Sequence, residues 1–121
     1  MVWRQDLVCA YVQLKNAAKA GESLQYMKAH ARDGVLPLQG ALVCAGDADG
    51  LAKALIESLE DPERRATTLL GMQTYRDSPA PQSAWTKERQ AFEHTVWARP
   101  DVRAAIDKYG RIESYPIALD L

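Results

Sequence analysis

The sequence predicts an all-α fold of three antiparallel helical hairpins closed by a short C-terminal helix. Three observations carry that expectation. Apolar residues recur at three- and four-residue steps along most of the chain. Alternating runs of Val, Ile, Thr and Tyr that would mark strands are missing from the sequence. Stop and start residues leave connections of roughly two to seven residues, which force sequential helices to lie antiparallel. At 121 residues, with 47% hydrophobic and 26% charged side chains, the composition is that of a globular protein able to bury a core without metal or disulfide staples. The expected organisation is one helical domain over residues 1–110 and an extended tail over 111–121.

The first helix is expected from about Val2 to Ala20, with Trp3, Leu7, Ala10, Tyr11, Leu14 and Ala18 on one stripe and Gly21 as the stop. A second runs from about Glu22 to Arg32, with Leu24, Met27 and Ala31 inward, and ends at Asp33-Gly34. The third, about Leu36 to Ala45, tolerates Pro37 in its first turn and packs through Leu38, Ala41, Leu42 and Ala45 before Gly46-Asp47. Asp49 is the expected cap of the fourth, whose apolar face is Leu51, Leu55, Ile56 and Leu59.

Asp61-Pro62-Glu63 then supplies a cap, a first-turn proline and an acid at the positive helix end. The fifth helix should carry Ala66, Leu69, Leu70, Met72 and Gln73 toward Tyr75. Asp77-Ser78-Pro79-Ala80-Pro81 must be a loop, because two prolines so close cannot sit inside a helix. Helix six starts near Ser83 and buries Trp85, Phe92 and Val96, with Trp97 beside them. Helix seven runs from Pro100 to Tyr109 on Val102, Ala105, Ile106 and Tyr109, and closes at Gly110. Leu7, Tyr11, Leu24, Leu55, Leu70 and Phe92 are the expected core.

Leu7, Tyr11, Ala20 and Leu24 fall at the spacings where a tetratricopeptide repeat places its Leu, Tyr, Ala and large apolar residue, and about 34 positions further on Ala41 and Ala54 again sit in the two helices of a pair. The third pair has Leu70-Gly71 followed by Tyr75. In these features the chain resembles a tetratricopeptide-repeat helical domain. The stretch Arg99-Pro100-Asp101-Val102-Arg103-Ala104-Ala105-Ile106, with Tyr109-Gly110-Arg111-Ile112 and Tyr115, is similar to the closing helix of tetratricopeptide-type C-terminal domains in bacterial transcription regulators and adenylate cyclases. The resemblance implies a right-handed stack and a non-enzymatic, regulatory domain that binds a protein or peptide partner, or another domain of its own protein, through a concave face. Gln13, Asn16, Gln39, Arg65, Gln73 and Arg76 are the groove residues it implies. Their amides suit a bound backbone and their guanidinium groups a carboxylate, and they should be dispensable for folding.

Other chemistry is poorly represented. Asp47-Ala48-Asp49-Gly50 resembles the middle of a calcium loop, but Ala45 and Ile56 stand where the first and last ligands belong, so a helix cap is the expected role. His30 and His94 have no His or Cys at helical ligand spacing and are expected at the surface, with no metal or other cofactor. Cys9 and Cys44 lie about one repeat apart and could come near one another on neighbouring first helices; each is expected to be a small buried hydrophobe, with a disulfide or reactive thiol as the alternative. Glu57 with Asp61, and Glu88 with Glu93, read as solvated surface.

No Gly-rich phosphate loop precedes a Lys-Ser or Lys-Thr step. A net charge of -1 argues against direct nucleic-acid contact. No apolar run approaches the ~20 residues of a membrane span, so no membrane insertion is expected. Met1-Val2-Trp3-Arg4 enters a helical pattern directly, without a signal-peptide pattern, and the expected location is the cytoplasm. The competing functional expectation is a small-molecule-sensing domain, or an enzyme with a pocket between helices.

Overall fold

The computed structural model describes residues 2–77 and 80–118. Ser78 and Pro79 of the expected proline loop, and residues 119–121 of the expected tail, lie outside the described residues. The described residues are mostly helical and form seven α-helices and one short two-stranded sheet. It divides into two compact units, Met1–Ala54 and Leu55–Leu121.

The first unit opens with α1 (Val2–Gln13) and α2 (Ala17–Ala29). α1 ends well before the expected stop at Gly21. Lys15 takes a left-handed backbone with φ 57°, its N–H donates to the Val12 carbonyl, and the Asn16 N–H donates to the Tyr11 carbonyl. That pair of bonds is the Schellman closure, normally built on glycine. Asn16 then caps α2, its side-chain oxygen accepting from the Lys19 N–H at 3.2 Å. Gly21 is an exposed interior residue of α2 with open space around it. The cap signal at Asn16 decided the boundary, and glycine's low helix propensity did not.

A single 3₁₀ turn (Ala31–Asp33) leads into α3 (Val35–Ala45). α3 closes as α1 does: Gly46 is left-handed at φ 68°, with its N–H on the Val43 carbonyl and the Asp47 N–H on the Leu42 carbonyl. Asp47, two residues before the expected Asp49, caps α4 (Ala48–Glu60) by accepting from the Gly50 N–H at 2.9 Å. Its other carboxylate oxygen meets the Lys28 ammonium at 2.8 Å. The hydrogen bond from Lys28, then that from Gly50, hold the Asp47 carboxyl below its ordinary range.

Two contacts fix how α1 meets α3. A Cβ at Gly40 would collide with the side chain of Gln5, and Cys9 and Cys44 form a disulfide with Cα atoms 5.1 Å apart. Both contacts advance by four residues on each helix, so the two helices run in the same direction. The pairing replaces the expectation that each cysteine is a free apolar filler. Val8, Ala20, Leu24, Met27, Leu38, Ala41, Leu42, Leu51 and Ala52 are buried in this unit. Trp3 and Leu14, expected on the inner stripe, are 58% and 75% exposed. Trp3 instead lies under the Arg4 guanidinium, which also covers the Tyr26 ring at 3.6 Å.

In the second unit Asp61 works as expected but over a wider turn. Its carboxylate accepts from the Glu63 N–H, and its carbonyl from the Arg64 and Arg65 N–H groups, so α5 begins at Arg65 and ends at Gly71. The continuation to Tyr75 does not form. Thr74–Arg76 is a strand, β1, paired in parallel with β2 (Ser114–Ala118). This corrects the expectation of a strand-free chain and a merely extended tail. Gln73 explains the switch. Its amide N–H group donates to the Leu69 carbonyl at the end of α5 and to the Arg111 carbonyl, while its oxygen accepts from the Glu113 N–H. One side chain thereby caps a helix and pins the returning chain beside β1.

α6 (Ala84–Trp97) starts at the expected Ser83 cap, whose oxygen accepts from the Thr86 N–H at 3.1 Å. α7 spans Pro100–Tyr109 as expected, with the proline in its first turn. Leu55, Leu59, Met72, Val96, Val102, Ala105 and Ile106 are buried here. Of the expected core, Leu24 and Leu55 are buried, Leu7, Tyr11 and Phe92 are half-buried, and Leu70 is 59% exposed. Leu70 reaches solvent because α5 is only two turns long and turns Thr68 and Met72 inward.

Candidate functional site

The six expected groove residues divide between the units. Gln13 is exposed at the end of α1, Asn16 is the α2 cap, and Gln39 is half-buried in α3. Arg65, Gln73 and Arg76 belong to the second unit. Arg65 is engaged within the fold: its Nε–H donates to the Leu59 carbonyl at 2.8 Å, its terminal N–H to the Glu60 carbonyl at 3.3 Å, and its guanidinium covers the Tyr109 ring at 4.2 Å. It satisfies the last carbonyls of α4, which a helix end otherwise leaves open. Gln73 is committed to the α5 end and the returning strand. Arg76 is exposed in β1.

Gln73 and Arg76 nevertheless border a concavity of the second unit, a cleft of about 700 Å³. One wall is Gly71 to Asp77. The opposite wall is the α6 stripe Gln90, Glu93, His94 and Trp97, whose spacing of three and four residues places all four on one helix face. Gln82, Arg103 and Ile112 complete the rim. Thr74, Tyr75 and Arg76 all line it, whereas no residue of β2 does. Successive strand residues point to opposite faces of a sheet. A cavity touched by three in a row therefore meets more than one face of the strand.

The electrostatics of the cleft are mixed. Arg76 and Arg103 face it together with Asp77, Glu93 and His94. Desolvation pushes the Glu93 carboxyl up from its ordinary value, so the expectation of a solvated Glu93 is corrected. The His94 and Trp97 rings stand 5.0 Å apart. The Trp97 indole nitrogen is buried and has no hydrogen-bond partner among the described residues, a costly state for a donor. The Tyr75 ring stacks on Tyr115 at 5.8 Å, and its hydroxyl donates to the Leu70 carbonyl.

Sequence reasoning reached Gln73 and Arg76 but missed Gln90, Trp97 and Arg103. The signal was available in the polar and aromatic stripe of α6. Its meaning depends on β1, which the helical periodicity concealed. Among the described residues no group of three or more His, Cys, Asp or Glu side chains could hold a metal ion, and no helix is long and apolar enough to cross a membrane. Comparison with family models, with curated proteins and with solved structures gives no match to this chain.

Proposed function

We propose that the chain is a non-catalytic interaction domain, the regulatory or assembly part of a larger bacterial regulator, and that its cleft between β1 and α6 holds a segment of a partner protein. The cleft carries the reading. Its described lining gathers the amides of Gln82 and Gln90 and the guanidinium groups of Arg76 and Arg103 around one concavity, groups that suit a bound backbone and a carboxylate.

A tetratricopeptide-like, right-handed stack of hairpins is the architecture we propose for the helices. Two features of the first unit support it. α1 and α3 run in the same direction, as the first helices of successive repeats do. The α1–α2 and α3–α4 turns are also built alike, each from a left-handed residue followed by an Asn or Asp cap. The Cys9–Cys44 cystine weighs against the expected cytoplasmic setting, since a cystine persists best in an oxidising compartment, and the thiol state of the pair in alkylation-quenched cell extract tests that setting.

A small-molecule-sensing role is the second reading, favoured by Glu93 and His94 lying side by side in the cleft. Panning a random 12-residue peptide library against the full chain, with a thermal-shift screen of small metabolites in parallel, separates the two. The interaction reading expects enriched peptides that raise Tm and compete with one another. It fails if no peptide is enriched, and a metabolite hit alone transfers the site to the second reading.

A further inference from the structure

We propose that the outer face of α1 is a self-association surface, on which a second copy of this chain lays its own α1 antiparallel about a two-fold axis. The surface involves the first unit alone.

The periodicity of α1 comes first. Trp3, Leu7, Ala10 and Leu14 follow one another at steps of four, three and four residues, the spacing of a helix-pairing seam. Leu14 stays in the helical register, its N–H donating to the Ala10 carbonyl. The fold of the first unit leaves this seam largely uncovered. α1 meets its neighbours through other residues: Val8 is buried, Gln5 lies against Gly40, Cys9 is bonded to Cys44, and Arg4 covers the Tyr26 ring of α2. Trp3, Ala10 and Leu14 are exposed and Leu7 is half-buried. A surface helix ordinarily turns its apolar stripe inward and its polar side to water. α1 carries a second apolar stripe on the outside, and such a stripe marks a contact with another molecule.

The seam is complementary to itself, and only in one direction. When α1 meets its copy antiparallel, Trp3 falls opposite the copy's Leu14 and Leu7 opposite the copy's Ala10, so every layer holds at least one large apolar side chain. A parallel pair would set Ala10 against Ala10 and leave a gap, with Trp3 crowding Trp3 one end away. Charge selects the same direction. α1 has no acid in its first turn and no base in its last, so its own side chains leave the partial charges of its ends unanswered. Antiparallel pairing brings the positive start of each helix beside the negative end of the other. Among the described residues of α1 the exposed ones include a single charge, Asp6. Its neighbour across an antiparallel seam is the copy's Gln13, whose amide can donate to it, so like charges do not meet. The two-fold makes each of these contacts twice. A helix of another protein would have to reproduce this pattern by coincidence, whereas a second copy carries it already.

The test is sedimentation equilibrium of the full chain, with its cystine intact, from about 1 µM to about 1 mM, the range in which a contact one helix deep should associate. The mass should rise from one chain toward two. Leu14→Glu, at an exposed position, should hold the chain monomeric across that range while Tm is unchanged. Gln13 is also exposed, and its variants read the direction of pairing. Gln13→Lys sets a cation against the copy's Asp6 twice over and should tighten the dimer about fivefold, whereas Gln13→Glu should loosen it by a similar factor. A chain that stays monomeric at every concentration overturns the proposal, as does a dimer that survives Leu14→Glu. A dimer in which the Lys and Glu variants at position 13 behave alike overturns the antiparallel seam.

Discussion

The Cys9–Cys44 bond closes a loop across a sequence separation of 35 that contains all of α2. It joins α1, in which Val8 alone is fully buried, to α3, which buries Leu38, Ala41, Leu42 and Cys44. Removing the bond returns loop-closure entropy to the unfolded chain. For a loop of this length the chain-entropy relation gives about 4 kcal/mol at 25 °C. With an unfolding entropy near 2.1 cal/mol/K per residue, that becomes a fall in Tm of roughly 15 °C for cooperative melting of the whole chain. The assay is a pair of thermal melts followed by far-ultraviolet circular dichroism, with and without a dithiol reductant, accompanied by thiol counts in denaturant. The count should rise from zero to two on reduction, and Cys9→Ser with Cys44→Ser should melt like the reduced protein. Two reactive thiols in the unreduced, denatured chain would refute the bond. A Tm that is unchanged despite complete reduction would refute the view that α1 depends on it.

Three further outcomes follow from burial and hydrogen bonding, each measured by denaturation. Leu55→Ala should cost about 2–5 kcal/mol through lost transfer energy and a cavity, whereas Leu70→Ala should change stability by less than about 0.5 kcal/mol. Equal effects would contradict the rotation of α5. Arg65→Ala should cost about 1–2 kcal/mol, because it uncovers carbonyls at the end of α4 and the Tyr109 ring, while Arg76→Ala should be near neutral. Identical melts for those two variants would count against the structural role of Arg65. The raised Glu93 pKa means that its contribution is fully present below the unfolded value near 4.5 and is lost as pH rises through the folded value. Glu93→Gln should therefore stabilise the protein at neutral pH, by about 1 kcal/mol, and flatten the stability profile above pH 4.5. A profile identical to that of the parent chain would place Glu93 in water.

The reading of the sequence and the tertiary structure divide along the range of the interactions concerned. Helical class, the Ser83 and Pro100 starts and the Gly46 stop were legible because caps, first-turn prolines and left-handed glycines act within one turn. The early end of α1 was legible in principle, since Asn16 is a good cap. It was masked by Gly21, whose breaker tendency of about 1 kcal/mol is smaller than the combined gain from the Asn16 cap and a buried Leu24–Met27 face. Periodicity found Leu24 and Leu55 but misjudged Leu70, because a two-turn helix lets a small rotation exchange its inner and outer faces.

Three features needed the folded chain. Cys9 and Cys44 have the right separation in sequence, but only the close approach of α1 to α3 at Gly40 brings their sulfurs together. Thr74–Arg76 is too short to announce a strand, and its partner lies about forty residues away. Its strand character comes from the Gln73 side chain gripping Arg111 and Glu113. The cleft exists only once that strand stands opposite α6, which turns the helix face of Gln90, Glu93, His94 and Trp97 from a solvated stripe into a wall. Local chemistry therefore determined which segments are helices, while contacts between residues distant in sequence decided where the sheet edge lies and what faces it.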